Sequence, residues 1–213
     1  MKTVLISTQP QWCKLIASGK KRIEVRKTKP KIEVPFKAYI YCTKAKNHFS
    51  IGGGVYATSD TLYRLPTGEI KFGDGFELMV DWSGQYDENN FLNGKVIGEF
   101  VCDKIDEYRY GVYDGEFAYH IPTVDGEKTC MEYTEAEEYG NGKPLYFWYI
   151  SNLVVYDKPK ELSEFYQKCK SYDKDEFEND DCLYCENPCG NGGKLYLKRP
   201  PQSWCYVEER SRP

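Results

Sequence analysis

Residues 9–26 read QPQWCKLIASGKKRIEVR, and both the fold and the chemistry of the chain turn on them. Pro10 stands where a first helical turn tolerates a residue with no N–H, and Trp12, Leu15 and Ile16 recur at the spacing of one helical face. Gly19 ends the run, as a residue free to turn left-handed commonly ends a helix. RIEVRK then alternates, with Ile23 and Val25 to one side and Arg22, Glu24 and Arg26 to the other, which is the period of a strand. Lys20, Lys21 and Arg22 follow one another at the helix end, where cations meet exposed carbonyls for about 0.3–1 kcal/mol. That accounts for Lys20. It does not account for a carboxylate set between two guanidinium groups, which contributes little on an open surface. Lining a cleft, the same residues have a chemical use. Lysine and arginine meet phosphate, and Glu24 accepts hydrogen bonds from the exocyclic amine of an unpaired base.

Outward from this stretch, Val4–Ser7 and residues 36–43 (FKAYIYCT) read as strands. Residues 46–94 are rich in Gly, Asp and Asn and form an inserted set of loops and a hairpin. KVIGEFVCDKIDEYRY (95–110) is a long strand or half a hairpin, YTEAEEYG (133–140) a short helix opening near a Thr cap, and 144–162 strands broken near Ser151-Asn152. Short strands, short helices and frequent turn signals predict an α+β fold built on a small barrel. No internal repeat is present. From residue 158 the composition becomes charged, predicting a helix that runs into a Cys-, Pro- and Gly-rich tail. The expected division is therefore a barrel over 1–157 and an extension over 158–213.

The order of pieces resembles the ASCH domain of the PUA-like superfamily. A strand is followed by Gln9-Pro10-Gln11-Trp12, a short helix ending Ser18-Gly19-Lys20-Lys21, and Ile23-Glu24-Val25-Arg26. The later KVIGEFVCDKI and PLYFWYISNLVVYDKPKEL resemble that family's central and closing strands. The resemblance covers roughly residues 1–160, and it implies a PUA-like β-barrel with a cleft beside the motif that binds RNA or a modified nucleotide. One small bacterial member resembling this motif hydrolyses N4-acetylcytidine with a lysine, a threonine and a glutamate. Its lysine falls on Lys21, but its threonine position holds Glu24, so the hydroxyl nucleophile is missing.

The expected ligand-binding set is Trp12, Lys21, Arg22, Glu24, Arg26, Thr43, Lys44 and Trp148. Aromatic rings in that set stack on bases, at about 1–3 kcal/mol each. His48 and His120, the only histidines, read as loop or surface residues. Zinc-deaminase, P-loop and dinucleotide signatures are all missing.

The formal net charge of −4 conceals a strong asymmetry: residues 1–46 carry twelve Lys or Arg against two acids. That points to a polyanionic partner for the N-terminal part, namely RNA, single-stranded nucleic acid or a nucleotide. The longest apolar runs are too short to cross a bilayer, so a soluble, cytoplasmic protein is expected. Five of the nine cysteines crowd the last fifth of the chain. Cys182, Cys185, Cys189 and Cys205, with Cys169 as an alternate, supply four thiolates for a structural zinc ion that would order a tail with little apolar content.

The leading expectation is a module binding RNA or a modified nucleotide. Two alternatives stand beside it: a hydrolase of a modified nucleoside such as an N4-acylated cytidine, with Lys21 and Glu24 catalytic, and a protein-interaction adaptor.

Overall fold

In β1 (Thr3–Thr8), Val4, Leu5 and Ile6 are all fully buried, so both faces of this strand meet protein. The computed structural model describes residues 3–44, 49–51, 54–56, 59–65, 67–73, 90–169 and 193–209. After β1 come α1 (Pro10–Ala17), β2 (Ile23–Arg26) and β3 (Phe36–Cys42). Within residues 46–94 lie two small hairpins, β4 (Phe49–Ile51) with β5 (Gly54–Tyr56) and β6 (Leu62–Arg64) with β7 (Ile70–Phe72). Then follow β8 (Val96–Tyr108), β9 (Tyr110–Tyr113), β10 (Glu116–Tyr119), α2 (Thr123–Thr129), α3 (Tyr133–Gly140) and β11 (Leu145–Lys160). The chain ends with β12 (Phe165–Lys168), β13 (Lys194–Tyr196), β14 (Trp204–Tyr206) and β15 (Glu208–Glu209).

The main sheet has the order β14-β1-β3-β8-β11-β2, with β1 and β3 parallel and its other pairs antiparallel. Period-2 alternation sorts its side chains into two layers. Val4, Ile6, Ala38 and Ile40 pack with Phe36, Phe100, Trp148 and the buried Cys13 and Ile16 of α1, while Leu5, Tyr39 and Tyr41 pack with Phe165 and Val207 beneath β12 and β15. A third cluster joins Ile23, Val25, Phe147 and Leu145 to Tyr119 and Ala136, where α3 and β10 cover the far side of β2. This is an α+β arrangement of a mixed sheet and three short helices among the described residues.

The expected break near Ser151-Asn152 is a bulge within one strand. Asn152 takes φ 46°, and the register of β11 against β8 shifts between Ser151 and Val154. There β11 crosses close over β8, and a Cβ on Gly98 would lie 2.4 Å from the Val154 carbonyl oxygen. Glycine is required at that crossing.

Two expectations are corrected. The charged stretch after residue 158 does not open as a helix: β11 runs on to Lys160, a single 3₁₀ turn spans Leu162–Glu164, and β12 follows to Lys168, while residues 170–181 lie outside the described residues. The reason is tertiary, because Phe165 is fully buried, its ring 4.8 Å from that of Tyr39. The described end of the extension is also not separate from the main sheet. β14 pairs with β1 and becomes one edge of the main sheet, so the division at 157/158 falls inside a continuous strand. No helix among the described residues is long and apolar enough to cross a membrane.

Candidate functional site: a charged seam between the sheet edges

Strand order leaves β14 and β2 as the two edges of the main sheet, and side chains bridge them. Arg26, on β2, donates through Nη1 to the carbonyl of Ser203 at 3.2 Å, just before β14, and through Nη2 to the carbonyl of Ser7 in β1 at 2.9 Å. Nη2 also donates to Thr8 Oγ1 at 3.1 Å and lies 2.8 Å from Glu24 Oε1. Trp204 Nε1 donates to Thr28 Oγ1 at 2.9 Å across the same gap. Arg26 therefore closes the curled sheet with a planar donor fork that satisfies three acceptors and one carboxylate.

Lys21 enters from the helix end. Leu15 O accepts its backbone N–H at 2.9 Å, fixing the turn after α1, and its Nζ donates to Thr129 O at the end of α2 at 2.5 Å. Its Nζ also lies 3.8 Å from Glu24 Oε2 and 4.8 Å from the centroid of the Trp12 ring. Lys21, Glu24 and Arg26 are only 2%, 6% and 5% exposed. Burial pushes the Lys21 ammonium below its ordinary pKa, and Glu24 only partly restores it.

Two cations thus share one anion in a region nearly closed to water, and the hydrogen bonding is incomplete. Glu24 Oε2, Arg26 Nε and Trp148 Nε1 are buried with no hydrogen-bond partner. Trp148 lies opposite Glu24 in the β11–β2 register, so both side chains rise from the same face. An unmatched acceptor and two unmatched donors accordingly stand on one surface, where each costs about 1–3 kcal/mol if left dry.

The sequence-predicted residues divide. Lys21, Glu24 and Arg26 come together as expected. Trp12 is half-buried beside them with its ring against Lys21, while the buried stripe of α1 is Pro10, Cys13 and Ile16. Trp148 is corrected as a stacking surface: it is 0% exposed, edge-on to Phe36 at 5.4 Å, and offers the site its indole N–H rather than its face. Arg22 does not join the cluster. It precedes β2, is exposed, and turns its Nε back to Gly19 O at 3.4 Å. Thr43 reaches only the periphery, donating its backbone N–H to Thr8 O at 2.9 Å, and Lys44 is exposed. The expected open cleft around these head groups is likewise corrected. The hollow beside the motif, about 490 Å³, opens on the opposite face of β2 over Val25 and Phe147.

Thr8 was not singled out by sequence reasoning, and Trp148 was expected to offer its ring face rather than its indole N–H. Thr8 is the last residue of β1, and its proximity to Arg26 depends on closure of the sheet.

Cys182, Cys185, Cys189 and His48 lie outside the described residues. Among those described, no group of three or more His, Cys, Asp or Glu side chains stands at metal-binding spacing. Cys205 is half-buried against the layer of Leu5 and Phe165, and burial pushes its thiol pKa up. Cys169 is buried, and its N–H donates to Gly193 O at 2.8 Å. His120 is exposed and stacks on Tyr113, ring centroids 5.3 Å apart.

No family model matches the chain, and no curated protein matches it. Among solved structures it is similar to the crystal structure of ASCH from Zymomonas mobilis, at 14% identity and a TM-score of 0.44, covering 97% of this chain and 88% of that one. Two mutants of that protein are similar at 17% and 16% identity with TM-scores of 0.44 and 0.43, each covering 76% of this chain and 75% and 77% of theirs.

Proposed function

We propose that this chain is an ASCH-type module of PUA-like fold that binds single-stranded RNA or a modified nucleotide at the seam. The observation that carries the reading is the buried set of unmatched atoms: Glu24 Oε2, Arg26 Nε and Trp148 Nε1. A base edge presenting an amine to Glu24 and acceptors to the two N–H groups would complete all three. Phosphate oxygens would balance the surplus cation, and the half-buried Trp12 ring supplies the stacking surface. Entry requires the rim around Trp12 and Thr8 to open. Its test is fluorescence anisotropy with single-stranded RNA and DNA, alongside calorimetry with a panel of modified nucleosides. Glu24→Gln is expected to weaken binding about tenfold, equivalent to about 1.4 kcal/mol. Wild-type protein that binds nothing in the panel overturns the reading.

A hydrolytic reading draws on one further observation. Glu24 Oε2 lacks a hydrogen-bond partner and lies 3.8 Å from Lys21 Nζ, which is a general base beside an anion stabiliser. Turnover of N4-acylated cytidine that Glu24→Gln abolishes would establish it, and a stable substrate would leave binding alone.

For the tail, a structural zinc ion held by Cys182, Cys185 and Cys189 needs a fourth thiolate. Cys169 suits this better than Cys205. It lies where the chain leaves β12, its N–H donating to Gly193 O where the chain returns to β13, whereas Cys205 lies within β14 at the edge of the main sheet. Elemental analysis should give one zinc per chain, retained in Cys205→Ala and lost in Cys169→Ala.

A further inference from the structure

The second face of β2 is unlike the first. Val25 and Phe147, paired in register, floor the open hollow of about 490 Å³, and Ile121, Met131, Tyr133 and Ala136 line it with them. Volumes of roughly 300–1,000 Å³ with apolar linings are those that receive ligands. None of the seam's polar groups faces this hollow except through the Thr129 backbone, whose carbonyl is taken by Lys21.

Apolar surface continues beyond the rim. Tyr133 is 44% exposed and Val124 57%. The Tyr133 hydroxyl accepts the Tyr119 backbone N–H at 3.0 Å and so ties α3 to β10. On the same face of the β9–β10 hairpin as Tyr119 stand Tyr110, Val112 and Phe117, with Phe117 66% exposed. Exposed apolar surface continuous with a hollow marks an interaction site. Its charge names the occupant: residues 110–140 carry eight acids and one lysine, and Glu127 and Glu132 line the hollow. A phosphate backbone is repelled by such a face, whereas a basic peptide is drawn to it.

We propose that this hollow docks a protein partner through a short segment in which apolar side chains alternate with Lys or Arg. One apolar side chain fills the space over Val25 and Phe147, its flanking cations meet Glu127 and Glu132, and a further apolar residue covers Phe117 and Val112. The proposal uses none of the seam residues and stands or falls separately from nucleotide binding.

The test is fluorescence anisotropy with a labelled peptide of about ten residues alternating Leu and Lys, a length that spans such a surface. One control replaces every Lys with Glu, and the other replaces every Leu with Ser. Binding of the Leu/Lys peptide is expected to exceed both controls by about tenfold or more, to weaken about tenfold in Met131→Lys, and to weaken up to about fivefold in Glu127→Lys. Val124→Lys lies on the exposed surface of α2, next to the lining residue Thr123, and leaves the core untouched. It should weaken binding while the circular dichroism spectrum stays that of the wild type. Equal binding of the Glu-containing peptide, or indifference to all three substitutions, overturns the proposal. So does a dimer in sedimentation equilibrium that Met131→Lys dissociates, which would assign the face to a second copy. Displacement of bound RNA by the peptide would also overturn it, placing both ligands at one site.

Discussion

Two clusters of charge occupy opposite faces of the main sheet, and they are finished differently. On the layer beneath β12 and β15, Lys37 and Lys160 meet Glu99 and Glu209. Lys37 lies 2.7 Å from Glu99 Oε1, the Tyr156 hydroxyl donates to Glu99 Oε2, the Tyr39 hydroxyl donates to Glu209 Oε2 at 3.0 Å, and Lys160 bonds Glu209 Oε1. All four carboxylate oxygens are taken and the charges cancel, which fastens the short β15 to the sheet. At the seam, two cations share one anion and three polar atoms stay unmatched. Burying charge costs several kcal/mol per ion unless partners offset it. The completed cluster is therefore a fastening, and the incomplete one keeps hydrogen-bonding capacity for something else. Burial and charge alone do not separate the two; the unmatched atoms do.

The largest effect is expected where one residue is both fastening and site. Arg26→Met deletes the donors to Ser7, Thr8 and Ser203 and leaves Glu24 buried with Lys21 at 3.8 Å as its remaining charge partner. Loss of one partner from a buried pair costs about 3–5 kcal/mol, read as a large fall in the urea midpoint. Lys160→Met in the other cluster should cost about 1 kcal/mol or less, because the Glu209 side chain is 27% exposed and water replaces the lost cation.

Lys21→Met should act in the opposite direction. The fold holds this ammonium against its burial, so its pKa lies below the ordinary 10.5. A cation with a lowered folded pKa binds its proton more weakly in the folded than in the unfolded state. Wild-type stability then gains with rising pH between the lowered value and 10.5. Replacing the lysine with an apolar isostere should leave stability at pH 7 unchanged or raise it by about 1 kcal/mol, and any advantage should shrink between pH 7 and 10. Binding of RNA or nucleotide should fall all the same. Residues retained at a cost to stability are those with another task, and a clear loss of stability at pH 7 would make the seam a fastening only.

How much of this was legible beforehand follows from the range of the interactions. Pro10, Gly19 and the alternation over Ile23–Arg26 are local signals, and they placed α1, β2 and the convergence of Lys21, Glu24 and Arg26. Trp148 was misassigned because core packing in the folded sheet, rather than strand spacing, decides that its ring is covered. The β9–β10 hairpin carried an unread local signal. Asp114-Gly115, at φ 50° and 88°, is the pair such a tight turn favours. The pairing of β14 with β1 joins residues some two hundred positions apart, and no local pattern announces it. That pairing closes the seam, so its reading as an open cleft failed at the same point.

The smallest effect belongs to the completed cluster. Burial alone would raise the Glu99 carboxyl, but the hydrogen bonds from Lys37 and Tyr156 pull it below its ordinary 4.5. A carboxylate with a depressed folded pKa contributes stability above 4.5, and that contribution is lost as pH falls through the folded value. Glu99→Gln should therefore cost about 0.2–1 kcal/mol at pH 7, as a partly exposed ion pair does. The difference from the wild type should close as the pH is lowered from 6 towards 3. Because Glu99 sits on the layer away from Trp12, Glu24 and Trp148, nucleotide affinity should not move. A Glu99→Gln protein that binds as weakly as Glu24→Gln would show that the two faces of the sheet are energetically one network, and that the unmatched atoms do not by themselves mark the site.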